Sequence, residues 1–267
     1  MLRLIKIDFK KYAYSRTFWV LLLIYFVLIV AVFFGMEKFI NQVLNSAKTS
    51  AQIPVPDFSL YSFPYVWQNL AFLGGFFKIF IALIVVIFVT NEYSYKTIRQ
   101  NVMNGMSREQ FLASKVLFAL LLSLSASIIM FVSGIVLGLG HTAELSISLV
   151  FPKMEFIAAY FLELATFSLL AMFTAFLLVR SGLAIGLLAI YYYIGENILT
   201  FMLPENISRF LPVESIGNLI DVPNSALMKM FGVNFSEVVS IPDVFICGFW
   251  SIFFIGMTYL LLRNRDF

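Results

Sequence analysis

Apolar residues fall in six long, unbroken runs, at 17–36, 70–90, 116–140, 156–179, 182–203 and 244–262, with polar stretches between them. Each is close to the roughly 20 residues an α-helix needs to cross a hydrocarbon core ~30 Å thick. The runs are continuous, whereas barrel strands alternate apolar and polar positions over about ten residues. Helices also satisfy every backbone group internally, as lipid requires. The pattern predicts an all-α membrane protein with six transmembrane helices. Ahead of the first run, Leu2, Ile5, Phe9, Tyr12 and Ala13 recur at helical spacing, with Arg3, Lys6, Lys10 and Lys11 mostly opposite. Over residues 1–15 this predicts a helix lying in the membrane interface; the alternative is an ordinary basic flank.

Two further stretches, 37–69 and 204–243, are long enough to fold outside the membrane. The second is punctuated by Pro204, Pro212, Pro223 and Pro242. Between the prolines lie part-apolar pieces at 207–211, 213–220 and 225–233, too short to span. They predict external re-entrant half-helices before the last span, or an external loop packed on itself. No internal repeat and no low-complexity linker is visible, so residues 1–267 read as a single membrane domain.

Composition narrows the class. Of 267 residues, 61% are hydrophobic and 12% charged, against about 25% charged in soluble domains. A soluble enzyme of this size is excluded. The net charge of +3 gives no reason to expect nucleic acid as a partner. Cys247 is the only cysteine, which excludes a disulfide scaffold. The few charges also orient the chain. Twelve Lys and Arg fall on one side of the six runs and five (Lys38, Lys48, Lys153, Arg209, Lys229) on the other. The positive-inside rule then places both termini in the cytoplasm of a multi-pass cell-membrane protein. The first run exceeds the 7–15 residues of a signal h-region and no small-x-small site follows it, so it reads as a retained span.

The catalytic inventory is thin. His141 stands alone at the external end of the third run, and metal-ligand, nucleophile-elbow and phosphate-loop motifs are missing. Lys48 and Lys96 each precede a Thr, but neither follows a Gly. The chain is therefore expected to be no enzyme, with no catalytic, metal or cofactor residues of its own.

The loop after the second run is richer. Asn104-Gly105 is a turn signal, and Ser107 with Gln110 makes a capping-box pattern at the start of the next helix. A compact polar ledge at 91–115, suited to docking a soluble partner, is expected on the cytoplasmic face; a plain connector is the alternative. The residues Glu92, Ser94, Thr97, Arg99, Gly105, Ser107, Arg108 and Lys115 resemble the coupling region of ABC type-2 transporter permeases, and the likeness in topology extends along the whole chain. Where most relatives show Gly-Thr, this chain has Lys96-Thr97. The resemblance implies an elbow helix over 1–15, six spans and an external re-entrant element at 204–243. It also implies two separate ATPase subunits that supply ATP and Mg, and a second permease copy or paralogue. Arg99, Arg108 and Glu109 would make polar contacts to the ATPase, with Glu92 anchoring the helix end. The expected function is the permease subunit of an exporter.

Three charges lie inside the runs: Lys78, Glu163 and Glu196. Each costs ~2.5–3.5 kcal/mol at mid-bilayer on insertion scales for Lys or Asp. At ~1.5 Å per residue, all three fall about 11–12 Å from the outer ends of their runs. This polar layer is either part of a substrate path or a helix staple, with one Glu hydrogen-bonded to Asn197, a Ser or a Tyr. Two rival functions remain open on the sequence. One is a secondary transporter carrying protons or cations on Glu163 and Glu196; the other is a non-transporting scaffold of an ABC complex. Gly134 and Gly138, and Gly182 and Gly186, mark close helix contacts, and Trp19, Trp67 and Tyr93 read as interface anchors.

Overall fold

The computed structural model describes residues 14–51, 60–95, 97–98, 105–142, 146–223 and 236–264. Its long elements are α1 (Arg16–Ala51), α2 (Val66–Gly75), α3 (Lys78–Ser94), α4 (Arg108–His141), α6 (Glu155–Leu178) and α11 (Ile241–Arg263). Between α4 and α6 lies one turn, α5 (Ile147–Val150). The fifth span is built from α7 (Ser181–Ile190), a π-turn (Tyr191–Gly195) and α8 (Glu196–Met202). Two short helices, α9 (Glu205–Ser208) and α10 (Pro212–Gly217), precede α11. The described residues contain helices and no strands. Five helical segments are long and apolar enough to cross a membrane, six when the bent pair α2 and α3 counts as one span.

The helix α6 is the axis of the bundle. It packs against α2, α3, α4, α7 and α11 and is mostly buried, whereas α1, α7–α8 and α11 expose most of their length. Charge-free helical faces gain little from association in lipid, so close packing and polar contacts hold such bundles. Here aromatic side chains settle onto glycine. A Cβ at Gly134 or Gly138 of α4 would run into the rings of Trp67 and Phe63 respectively. The Gly134–Gly138 pair thus serves a contact within the chain, whereas nothing lies within 4 Å of a Cβ at Gly182 or Gly186. Trp67 is fully buried rather than an interface anchor. It stacks on Phe131 and donates from Nε1 to the Val150 carbonyl at 2.8 Å. Trp19 is half exposed.

Four elements differ from the expected spans. The first helix runs on to Ala51, because no proline interrupts it after the apolar run. The second span, expected as one helix over 70–90, starts at Val66 and is bent by 47° between α2 and α3. The break follows Gly74-Gly75, where helix propensity is weakest, and the missing side chains let α6 approach. A Cβ at Gly74 would sit 2.7 Å from the Tyr160 hydroxyl, and one at Gly75 would sit 2.7 Å from Glu163 Oε1. In the fifth span the π-turn inserts one residue into the helical register. The last helix starts at Ile241, with Pro242 in its first turn, where no intrahelical N–H is needed. The interfacial helix expected over 1–15 lies almost wholly outside the described residues, as does the 225–233 piece.

Candidate functional site

At one end of the bundle, α3 and α4 are joined by a buried polar knot. Glu92, in the last turn of α3, is 3% exposed, and Lys115, two turns into α4, is 1% exposed. Lys115 Nζ donates to Glu92 Oε1 at 3.0 Å and lies 5.1 Å from the Phe111 ring centroid. Thr97 donates its hydroxyl to the other oxygen, Glu92 Oε2, and is 3.2 Å from the Glu92 carbonyl. Ser94 folds back onto the Thr90 carbonyl at 3.2 Å, and Ile98 is buried beside them. Three residues singled out in the sequence thus converge: Glu92, Thr97 and Lys115. An ion pair this deep is held by its geometry and extra hydrogen bonds.

The N-terminus of α4 forms as its spacing predicts. Gly105 has φ +86°, the left-handed region open to glycine at no steric cost. Ser107 Oγ accepts from Gln110 N and Gln110 Oε1 accepts from Ser107 N, both at 3.2 Å, closing the capping box. The two residues after the cap reach across to the end of the last span. Arg108 Nη1 donates to the Arg263 carbonyl, and Tyr259 donates its hydroxyl to Glu109 Oε1 at 3.1 Å. Arg263 closes the final turn of α11, where an unpaired helix carbonyl favours a cation. This clasp between α4 and α11 was not foreseen from sequence; nothing in the local pattern marks it. Arg99 lies outside the described residues.

The expected polar layer resolves into two separate contacts. Lys78 opens α3 directly after the break and pairs with Glu163 of α6, Nζ to Oε1 at 2.9 Å, both side chains buried. The ammonium also lies 5.4 Å and 5.8 Å from the ring centroids of Tyr192 and Phe167, an electrostatically favourable placement. One turn away, the Tyr160 hydroxyl lies 3.3 Å from that of Tyr25, joining α1 to α6.

Glu196 turns elsewhere. It is 2% exposed, and its Oε1 accepts the backbone N–H of Glu214 in the first turn of α10 at 2.7 Å. Asn197 does not partner it: that side chain is exposed and donates to the Tyr193 carbonyl at 2.8 Å. The π-turn is the cause. Ala184 and Leu188 mark the buried face of α7, and an unbroken 3.6-residue helix would carry Gly195 onto that face. The extra residue advances the register by one and delivers Glu196 instead.

The short helices α9 and α10 are clamped from the other side by α11. Arg209 donates to both carboxylate oxygens of buried Asp243, from Nε at 3.0 Å and from Nη2 at 2.8 Å. These hydrogen bonds and the adjacent charge raise the Arg209 pKa further above its ordinary value. Trp250 Nε1 donates to the Phe210 carbonyl at 2.8 Å, and Cys247 Sγ packs 3.9 Å from Ser215 Oγ. At the same end, Gln68 of α2 donates to the Ser236 and Asp221 carbonyls at 3.0 Å and 3.4 Å. Lys153 pairs with Glu237 at 3.0 Å. His141 Nε2 lies 3.7 Å from Glu37 Oε2, and its ring meets Tyr61 edge-on at 5.5 Å. Burial pushes the Tyr61 phenol up to about 12. Among the described residues no group of three or more His, Cys, Asp or Glu could hold a metal ion.

A family model described as ABC-2 family transporter protein matches residues 2–267. The chain belongs to that family. A search of curated proteins finds no match. The ABC-2 assignment covers essentially the whole chain, and the helical bundle described above agrees with it. This ABC-2 protein is thus a multi-pass permease subunit of an ABC transporter, of a kind that works with ABC ATPase subunits and generally lacks a nucleotide-binding site of its own.

Proposed function

We propose that this permease is one membrane half of an ATP-driven exporter, and that the surface around Glu92–Lys115 receives the ATPase. The observation that carries this reading is the buried Glu92–Thr97–Lys115 knot. It ties α3, Thr97 and α4 into one mechanical unit at this end of the bundle. The excess of basic residues on this side (twelve against five) argues for a cytoplasmic ledge. Two ATPase subunits and a second permease, identical or paralogous, complete the transporter in the cell membrane. ATP and Mg are held by the ATPase.

In this mechanism, closure of the ATPase pair pushes on the ledge. The clasp from Arg108 and Glu109 passes that displacement to the Arg263 end of α11, while α3 carries it to the break at Gly74–Phe77. The membrane halves then tilt and release substrate outward. Co-expression with an ABC ATPase from the same genome tests the reading. The ATPase should co-purify with the permease, and Arg108→Glu with Glu109→Lys should cut recovery at least tenfold. Undiminished association and transport in that double variant would remove the ledge from the interface.

A further inference from the structure

The external helices α9 and α10 are strapped between two spans by contacts of different kinds. On the α11 side there are three: Arg209 on Asp243, Trp250 on the Phe210 carbonyl, and Ser215 against Cys247. On the α8 side, the buried Glu196 carboxylate takes the Glu214 N–H of α10 at 2.7 Å, with further hydrogen bonds from the Val213 N–H and the Tyr191 hydroxyl. A six-residue helix cannot sustain itself in isolation, so its position depends on these anchors. Pro212, Ser215 and Ile216 of α10 are buried against the bundle, closing over the outer part of α11, where Cys247 is fully buried. The Glu196 anchor exists because of the π-turn, a one-residue insertion of the kind that recurs at functional positions.

From these contacts we infer that α9–α10 is an external gate and that Glu196 is the positioning residue that latches it shut, with α11 as the lever. Resting on the exporter reading, this deepens it. The cytoplasmic end of α11 is held by Arg108 and Glu109 of the ledge, and its outer end holds α9 through Asp243. Movement of the ledge therefore shifts one anchor of the gate relative to the other. The Glu196 carboxylate holds α10 through backbone N–H groups alone, whereas Arg209 and Asp243 form a bidentate ion pair, so the Glu196 side yields first.

The protein carries its own reporter. Cys247 is the only cysteine and lies under α10. Right-side-out membrane vesicles containing the full chain are treated with a membrane-impermeant maleimide, and labelled protein is counted by gel shift after denaturation. Wild type should label slowly. Glu196→Ala should label at least tenfold faster, and Glu196→Gln, whose amide oxygen still accepts the Glu214 N–H, should stay within threefold of wild type. Asp243→Asn, which loosens the opposite anchor, should also label faster, and carries the test where Glu196→Ala is not monodisperse. Gly134→Ala, which destabilises the bundle by crowding Trp67, away from both the ledge and the gate, should leave labelling unchanged. Labelling of Glu196→Ala within twofold of wild type, or equal acceleration by Gly134→Ala, overturns the latch. In the complex with its ATPase, ATP should accelerate labelling of wild type. A fast Glu196→Ala variant without any ATP effect on wild type leaves the latch standing and overturns the exporter reading.

Discussion

Lys115 and Glu92 form a 3.0 Å ion pair with almost no exposed side-chain surface, twenty-three residues apart, one on α4 and the other on α3. Neither charge is sequestered without compensation, because Thr97 satisfies the second carboxylate oxygen and the Phe111 ring faces the ammonium. This inverts the simplest view of a charged loop. Its charges at these positions face inward and hold the loop's two ends, leaving Glu109 and the cap residues at the surface.

Removing one member of this pair should be costly. Glu92→Gln or Lys115→Met leaves the other charge buried, a loss of about 3–5 kcal/mol. The double variant Glu92→Gln with Lys115→Met should recover most of that loss, since no uncompensated charge remains. Thermal unfolding in detergent, followed by loss of the monodisperse chromatographic peak, reads both effects. Equal melting temperatures for wild type and Lys115→Met would contradict the burial described.

The glycines divide into those that are filled and those that are open. Gly75→Ala places a methyl 2.7 Å from Glu163 Oε1, and Gly74→Ala places one 2.7 Å from the Tyr160 hydroxyl. Each should cost about 1–3 kcal/mol through overpacking. Gly182→Ala and Gly186→Ala meet nothing within 4 Å and should be neutral, or stabilising by up to about 1 kcal/mol from helix propensity. Melting temperatures of the four variants in one detergent make the comparison. A loss at Gly186 matching that at Gly75 would instead signal a partner packed on α7.

Much of the bundle was legible because lipid leaves only a few solutions. Apolar runs of about 20 residues must be helices, and the run boundaries at 156–179 and 244–262 fall within three residues of α6 and α11. The capping box at Ser107 was legible for a different reason, since its partners are three residues apart. The partners of Arg108, Glu109 and Glu196 were not, because they sit on helices remote in sequence and no periodicity links them. The bend in the second span had a visible cue in Gly74-Gly75. Hydropathy, however, averages over such a pair and returns one continuous span. The π-turn left no compositional mark at all. A single inserted residue in Tyr191–Gly195 decides whether Gly195 or Glu196 faces inward.

Gly105 offers a local test of the ledge. Nothing crowds a Cβ there, so the cost of substitution comes from φ +86° alone. Gly105→Ala should lose about 1–2 kcal/mol, the penalty of a left-handed conformation for a residue with a Cβ, and Gly105→Asn should lose less. Because the residue precedes the cap, the effect should appear as weakened recovery of the partner ATPase in the order Gly, Asn, Ala. Equal recovery for all three would show that docking does not depend on the turn.

The Lys78–Glu163 pair sits where a staple and a substrate path make opposite predictions. Both side chains are buried, paired at 2.9 Å and enclosed by Phe167, Tyr192 and the Gly75 backbone, which favours the staple. If the pair only joins α3 to α6, Glu163→Gln and Lys78→Met should each destabilise by about 3–5 kcal/mol, and the apolar double Lys78→Met with Glu163→Met should regain most of it. The double variant should also retain ATP hydrolysis and transport in the reconstituted complex. A path residue behaves otherwise: the double would fold and bind its ATPase yet fail to move substrate. Measuring melting temperature, ATPase recovery and flux on the same three preparations separates the two, because a staple couples all three readouts and a path isolates the last.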